Sequence, residues 1–184
     1  MKLVIVSVTV VVVVVILIYN GFIGKRNAVR FAFAGIDVQL KKRFDLIPNL
    51  VSAVKAYMQH ERETLEDITA LRARAVAQGT PSAEQMRIFD QLTPVIHGII
   101  AQVENYPQLR ASEQFQLLQR NLSEVEEQLS AARRAYNAAV TEYSNAVQTF
   151  PGNLFAGVFG FKPMDLFSVA ESERSAPRVK DCAP

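Results

Sequence analysis

The chain has 184 residues, 49% hydrophobic and 21% charged, with 20 Lys and Arg against 18 Asp and Glu for a formal net charge of +2. This length suits one domain with or without an anchor, and the apolar content excludes a disordered chain. The near-neutral balance argues against a nucleic-acid partner, and the single cysteine, Cys182, excludes an internal disulfide framework and a cysteine-based zinc site.

Leu3 to Gly24 carries no charge, and Val10 to Val15 is an unbroken run of valines. In water such a run favours a strand, but in hydrocarbon a lone strand leaves its backbone unpaired, so a membrane-crossing helix is predicted. Crossing takes roughly 20 helical residues. No small-x-small cleavage pattern follows Ile18, which favours an uncleaved anchor over a secretory signal. Tyr19, Lys25, Arg26 and Arg30 are expected at the membrane interface, the cations close enough to anionic headgroups for roughly 1 kcal/mol each. The larger basic cluster follows the span, which predicts a body on the cytoplasmic side. Residues 1–24 are therefore read as anchor, 25–167 as a helical body and 168–184 as a mobile polar tail.

Beyond the anchor, apolar residues recur at helical steps. Val29, Phe33, Ile36, Leu40 and Phe44 form one stripe, predicting a helix over about 25–44. Pro48 suits the first turn of a new helix, so a break is expected before it and a second helix over 48–78. Gly79 can close that helix, and Thr80-Pro81 can open a third over 81–105, kinked or broken at Pro94. The fourth, 111–150, has a seam of alternating three- and four-residue steps running Phe115, Leu118, Leu122, Val125, Leu129, Ala132, Tyr136, Ala139, Tyr143, Ala146 and Phe150. Such a seam predicts coiled-coil-like packing against partners of similar length. The fold class is all-α: an N-terminal transmembrane helix continuing into an antiparallel, four-helix-like bundle of long helices.

Candidates for chemistry are few. His60 and Glu61 lack a second histidine at the spacing a helical zinc motif needs, and His97 reads as a surface or interface residue. Glu124, Glu126 and Glu127 read as a solvated face, since no Glu-x-x-His pair accompanies them. No phosphate-binding glycine loop or nucleophile elbow occurs. No catalytic residue, metal or cofactor is expected. Lys41, Lys42 and Arg43 read as basic groups at a helix end, with Asp37 placed to pair with Lys41 and Asp45 with Arg43. The apolar segment 151–167, with Phe155, Phe159 and Phe161, is read as a lid on the bundle, the alternative being a membrane-dipping or self-association element.

The stretch Ile36 to Val51, including Asp37, Lys41, Lys42, Arg43, Asp45, Pro48 and Asn49, resembles the bacterial LemA family. Val54-Lys55, His60-Glu61, Glu104 to Leu109, Ala132 to Asn137, Phe150-Pro151 and Gly160-Phe161 extend the resemblance. It implies a single-pass membrane protein with a helical-bundle body, and the bacterial inner membrane is the expected location. Magnetosome-associated relatives make membrane organisation one theme, and the family supplies no catalytic residues to carry over. The expected function is a non-enzymatic scaffold or adaptor, self-associating as a homo-oligomer, with the lipid bilayer and an unidentified membrane protein as partners. The alternative is a receptor or regulatory subunit that binds a small ligand or a membrane protease or its client. The 36–51 motif and the Phe-rich segment are the expected interaction residues.

Overall fold

The computed structural model describes residues 1–58 and 61–167. His60, Cys182 and the polar tail 168–184 lie outside the described residues. Six α-helices follow one another with no strand among the described residues: α1 (Lys2–Lys55), α2 (Arg62–Ala75), α3 (Ser82–Gln102), α4 (Pro107–Arg110), α5 (Glu113–Gln148) and α6 (Gly152–Phe159), with a 3-10 turn at Val103–Asn105. The all-α expectation holds. Two compact units divide the chain, one of Met1–Arg30 with the residues from Ala135 onward, the other Phe31–Arg134.

The first half of α1 explains itself by what does not cover it. Its most apolar 18-residue window has no buried residue, and by length and composition this helix can cross a membrane, as a signal sequence also can. Burial begins at Phe22 and Val29, which share a core with Val140, Tyr143 and Val147 of α5 and Ala156 of α6. Lys25 reaches Glu142 at 3.4 Å, while the position of Phe22 is approached by Gly152, so α1 and the chain after Ala135 run antiparallel in this unit.

In the second unit the α1 stripe continues through Ile36, Leu40, Phe44, Ile47, Leu50 and Val54, each no more than 2% exposed. Each such side chain contributes roughly 1.5–3 kcal/mol when buried. Leu65 and Ile68 of α2, Ile88, Leu92, Ile96 and Ile99 of α3, and Phe115, Leu118, Leu122, Val125 and Leu129 of α5 complete the core of this unit.

The break expected before Pro48 does not occur. The helix passes through it, and the chain leaves helical geometry only after Lys55, so the predicted helix 48–78 is instead the end of α1 plus α2. Proline has no N–H for the carbonyl four residues back, here that of Phe44. The Arg72 guanidinium of α2 donates its Nε–H to that same oxygen at 2.9 Å. A side chain from a neighbouring helix thus replaces the missing backbone donor. Replacing Arg72 with Met strands the Phe44 carbonyl, and the expected loss is about 1–3 kcal/mol in urea denaturation of detergent-solubilised protein. In a Pro48→Ala background the backbone N–H returns and the same substitution should cost clearly less. Equal losses in both backgrounds would refute the compensation.

Other boundaries also move. Pro94 leaves α3 uninterrupted. Thr80 does not cap it: Pro81 occupies that position, and the Thr80 hydroxyl donates to the carbonyls of Ala77 and Arg74. Gly79, with φ +80°, makes the left-handed turn between α2 and α3. The α5 seam is buried as predicted to Leu129 and then drifts, with Val140, Tyr143 and Val147 inside while Phe150 is 78% exposed. Phe150 lies beyond the end of α5, and Val140 and Val147 are drawn inside by the packing of Phe22, Val29 and Ala156.

Candidate functional site

The predicted interaction residues separate by face. Lys41, Lys42, Asp45, Pro48 and Asn49 are exposed on α1, whereas Arg43 is wholly buried, one of the largest side chains with almost no exposed surface. Reading Arg43 as part of a solvated helix end is therefore corrected, and so is its pairing with Asp45. Residues two apart on a helix do not face each other. Arg43 instead donates Nη2 to Glu126 of α5 at 2.7 Å, and its guanidinium lies 4.2 Å from the centroid of the Phe89 ring of α3.

Around this ion pair a cluster assembles. His97 of α3 stands 3.2 Å from the same Glu126 oxygen that Arg43 uses. Arg133 approaches Phe89 at 5.1 Å, bonds Asp90 at 3.0 Å and donates to the Met86 sulfur. Burial draws the Arg43 pKa down from its ordinary value, opposed by the charge and hydrogen bond of Glu126; the neighbouring Arg133 charge also lowers it and Asp90 raises it. The group stays ionised, as arginine does in proteins. Nε and Nη1 of Arg43 and Nε of Arg133 have no hydrogen-bond acceptor among the described residues. The negative face of the Phe89 ring is what lies beside both cations. Glu126 is thus no member of a solvated carboxylate face, and neither Arg133 nor Arg134 pairs with it or with Glu127. Arg134 donates to Ser130. Asp37 forms no ion pair with Lys41; one of its oxygens is buried without a hydrogen-bond partner among the described residues.

Sequence reasoning missed Phe89 and Glu126 as partners of Arg43, and Asp90 as the partner of Arg133. It also missed that two stretches carrying the family resemblance meet: the Tyr106 hydroxyl donates to both Glu61 oxygens at 3.3 Å. Desolvation, and then the Glu61 charge and hydrogen bond, raise the Tyr106 pKa. No group of three or more His, Cys, Asp or Glu side chains among the described residues could hold a metal ion. A solvent-open cleft of about 480 Å³ is lined by His97, Ile100, Glu104, Arg110, Phe115 and Gln119.

The second neighbourhood lies in the first unit. Tyr19 of α1 meets the rings of Phe159 and Phe161 edge-on at 5.2 and 5.8 Å, and Phe22 meets Phe161 at 5.0 Å. Gly160, with φ +71°, ends α6 in the left-handed conformation and turns Phe161 inward, its N–H bonded to the Ala156 carbonyl at 2.9 Å. Residues 160–167 then run back along α5. Asn137 accepts from the Phe167 N–H at 2.9 Å and donates to its carbonyl at 3.0 Å, and Ser144 exchanges hydrogen bonds with the Met164 backbone. The Tyr136 ring meets that of Phe167 at 4.6 Å, tilted by 49°, and its pKa is raised by desolvation and by the Asp165 charge. Phe161 is buried and Phe155 half-buried within their own chain; Phe159 keeps 39% of its surface. Lys25 and Arg26 are half-buried, and Arg30 is exposed.

Fold and clusters together define a class: an all-α protein of long packed helices, opened by an uncovered apolar stretch and holding a buried arginine paired with a half-buried glutamate. The family model for the LemA family matches residues 32–180, and the chain belongs to that family. Among similar curated proteins, Protein LemA of Metamycoplasma hominis is 24% identical over 155 residues, covering 84% of this chain and 71% of that one. Magnetosome proteins MamQ 1 and MamQ 2 of Paramagnetospirillum magneticum are each 21% identical over 192 residues, covering 91% of this chain and 71% of theirs.

Proposed function

We propose that the protein is a non-enzymatic scaffold or adaptor anchored in the bacterial inner membrane by the first part of α1, with its body on the cytoplasmic side, and that it acts by self-association and by organising partner proteins or the membrane. One observation carries this reading: the apolar residues from Leu3 to Val14, with Ile16 and Leu17, are left exposed at the head of a helix that continues, with no intervening loop, to Lys55. Hydrocarbon is the medium in which such a surface is stable. An anchored body searches for partners in two dimensions, which raises effective concentration without new contacts. The magnetosome names of two relatives support membrane organisation as the theme.

For self-association the outward face of α1 offers Phe31, 84% exposed, and Val38, 52% exposed, two turns apart on one side of the helix. Full-length protein extracted in mild detergent and cross-linked should run as one discrete oligomer, and Phe31→Ser combined with Val38→Ser should shift it toward monomer. Monomer alone in the native extract would overturn the scaffold reading. The second reading, a ligand-binding receptor or regulatory subunit, draws on the cleft at His97 and Arg110, whose volume falls in the small-molecule range.

A further inference from the structure

In the first unit, α6 sits level with the last turns of the apolar stretch. The uncharged run is Leu3 to Gly24, and its first 20 residues, to Phe22, span about 30 Å as a helix, the thickness of a hydrocarbon core. Tyr19 and Phe22, at its far end, are the residues that Phe159 and Phe161 pack against. The height of α6 is thus fixed by ring contacts to the segment that would leave the bilayer, before the first following charge at Lys25.

One side of α6 is used against α1 and α5: Gly152 and Ala156 are buried and Phe155 half-buried. The other side is bare and, apart from Asn153, apolar. Leu154 and Val158, four apart, are 61% and 79% exposed there, and Phe150, in the turn before α6, is 78% exposed. From Tyr143 to Phe161 the chain contains no charged residue, and the first to follow, Lys162, is exposed. An apolar face at headgroup depth, uncharged along its length and flanked by lysine, has the make-up of a helix lying in the interface plane.

We propose that α6 is a second membrane contact: it lies in the headgroup–acyl boundary of the leaflet through which α1 exits, with Leu154 and Val158 facing lipid. A short helix with glycines at both ends would not hold such a position alone. Its docking on Tyr19 and Phe22 holds it there. The lipid contact then fixes the rotation and tilt of α1 in the membrane, which a single apolar rod leaves free. The inference rests on the anchor reading of the proposed function.

The chain has no tryptophan, so single Trp substitutions report one site each. Full-length Leu154→Trp and Val158→Trp variants, in vesicles of phosphatidylcholine and phosphatidylglycerol, are compared with Val12→Trp in the rod and Gln114→Trp at an exposed position of α5. Lipids brominated near the headgroup end of the chains should quench Leu154→Trp and Val158→Trp with blue-shifted emission; deeper bromines should act most on Val12→Trp. If the two α6 variants behave like Gln114→Trp while Val12→Trp is quenched, α6 does not touch lipid and the anchor stands. Blue-shifted emission without bromine quenching would mean that protein, such as a second copy, covers α6, and would likewise overturn the proposal. Absence of quenching at Val12→Trp would remove the anchor and this contact together. Because Leu154 and Val158 are exposed, both variants are compatible with folding, and far-ultraviolet circular dichroism checks it.

Discussion

Replacing Arg43 with alanine is expected to cost about 3–5 kcal/mol of stability, read as a lowered urea midpoint in detergent-solubilised protein followed by circular dichroism. Arg43 has no solvent-exposed surface, so the substitution leaves the Glu126 carboxylate without its 2.7 Å donor, the Phe89 ring without its cation and a cavity against α3. Glu126 keeps 29% of its side-chain surface and has His97 beside it, which lets water and the imidazole compensate in part and favours the lower end of the range. The partner experiment separates charge from packing. Arg43→Met combined with Glu126→Leu removes both charges and refills the space, and buried pairs replaced in this way are often neutral or more stable. The double variant should therefore lie well above Arg43→Ala. A loss under about 1 kcal/mol for Arg43→Ala would place the pair among ordinary surface bridges and sink this account.

The same pair shows what a sequence can and cannot carry. Arg43 occupies an apolar position of the α1 stripe, between Leu40 and Ile47, so its burial was written in the periodicity. Its neighbours Lys41 and Lys42 make the triplet look like a basic helix end, and charge type outweighed position. Glu126, 83 residues away, follows seam residue Val125, and nothing local marks it as a partner. Pro48 is the converse case. Propensity argues for a break because the missing donor is a local fact, while the donor that replaces it arrives from Arg72, across the fold. The long apolar head of α1, the all-helical body and the α5 seam to Leu129 were legible because each depends only on residues along one helix. The seam past Leu129 was not, because the burial of Val140 and Val147 is set by Phe22, Val29 and Ala156 packing there. Phe161 read as a candidate contact for a partner, yet it is consumed internally, since Gly160 turns it onto Phe22.

Gly152→Ala is expected to destabilise the first unit by about 1–3 kcal/mol, the range for forcing extra volume into a packed site. A Cβ at this position would collide with the Ala146 carbonyl and come within 3.2 Å of the Phe22 ring. The carbonyl belongs to α5 backbone and cannot swing aside as a side chain does, so the upper part of the range applies. Gly157, in the same helix, provides the control, because a Cβ there meets nothing within 4 Å. Relieving the entropic cost of glycine in a helix gains roughly 0.5–1 kcal/mol, so Gly157→Ala should stabilise slightly. Urea midpoints moving in opposite directions, with faster chymotrypsin cleavage after Phe155 or Phe159 only in Gly152→Ala, would place the close approach of α6 at Gly152. If both substitutions moved the midpoint the same way, helix propensity rather than contact with α5 would govern α6. The rings of Phe159 and Phe161 would then be holding it on Tyr19 and Phe22 without help from the backbone.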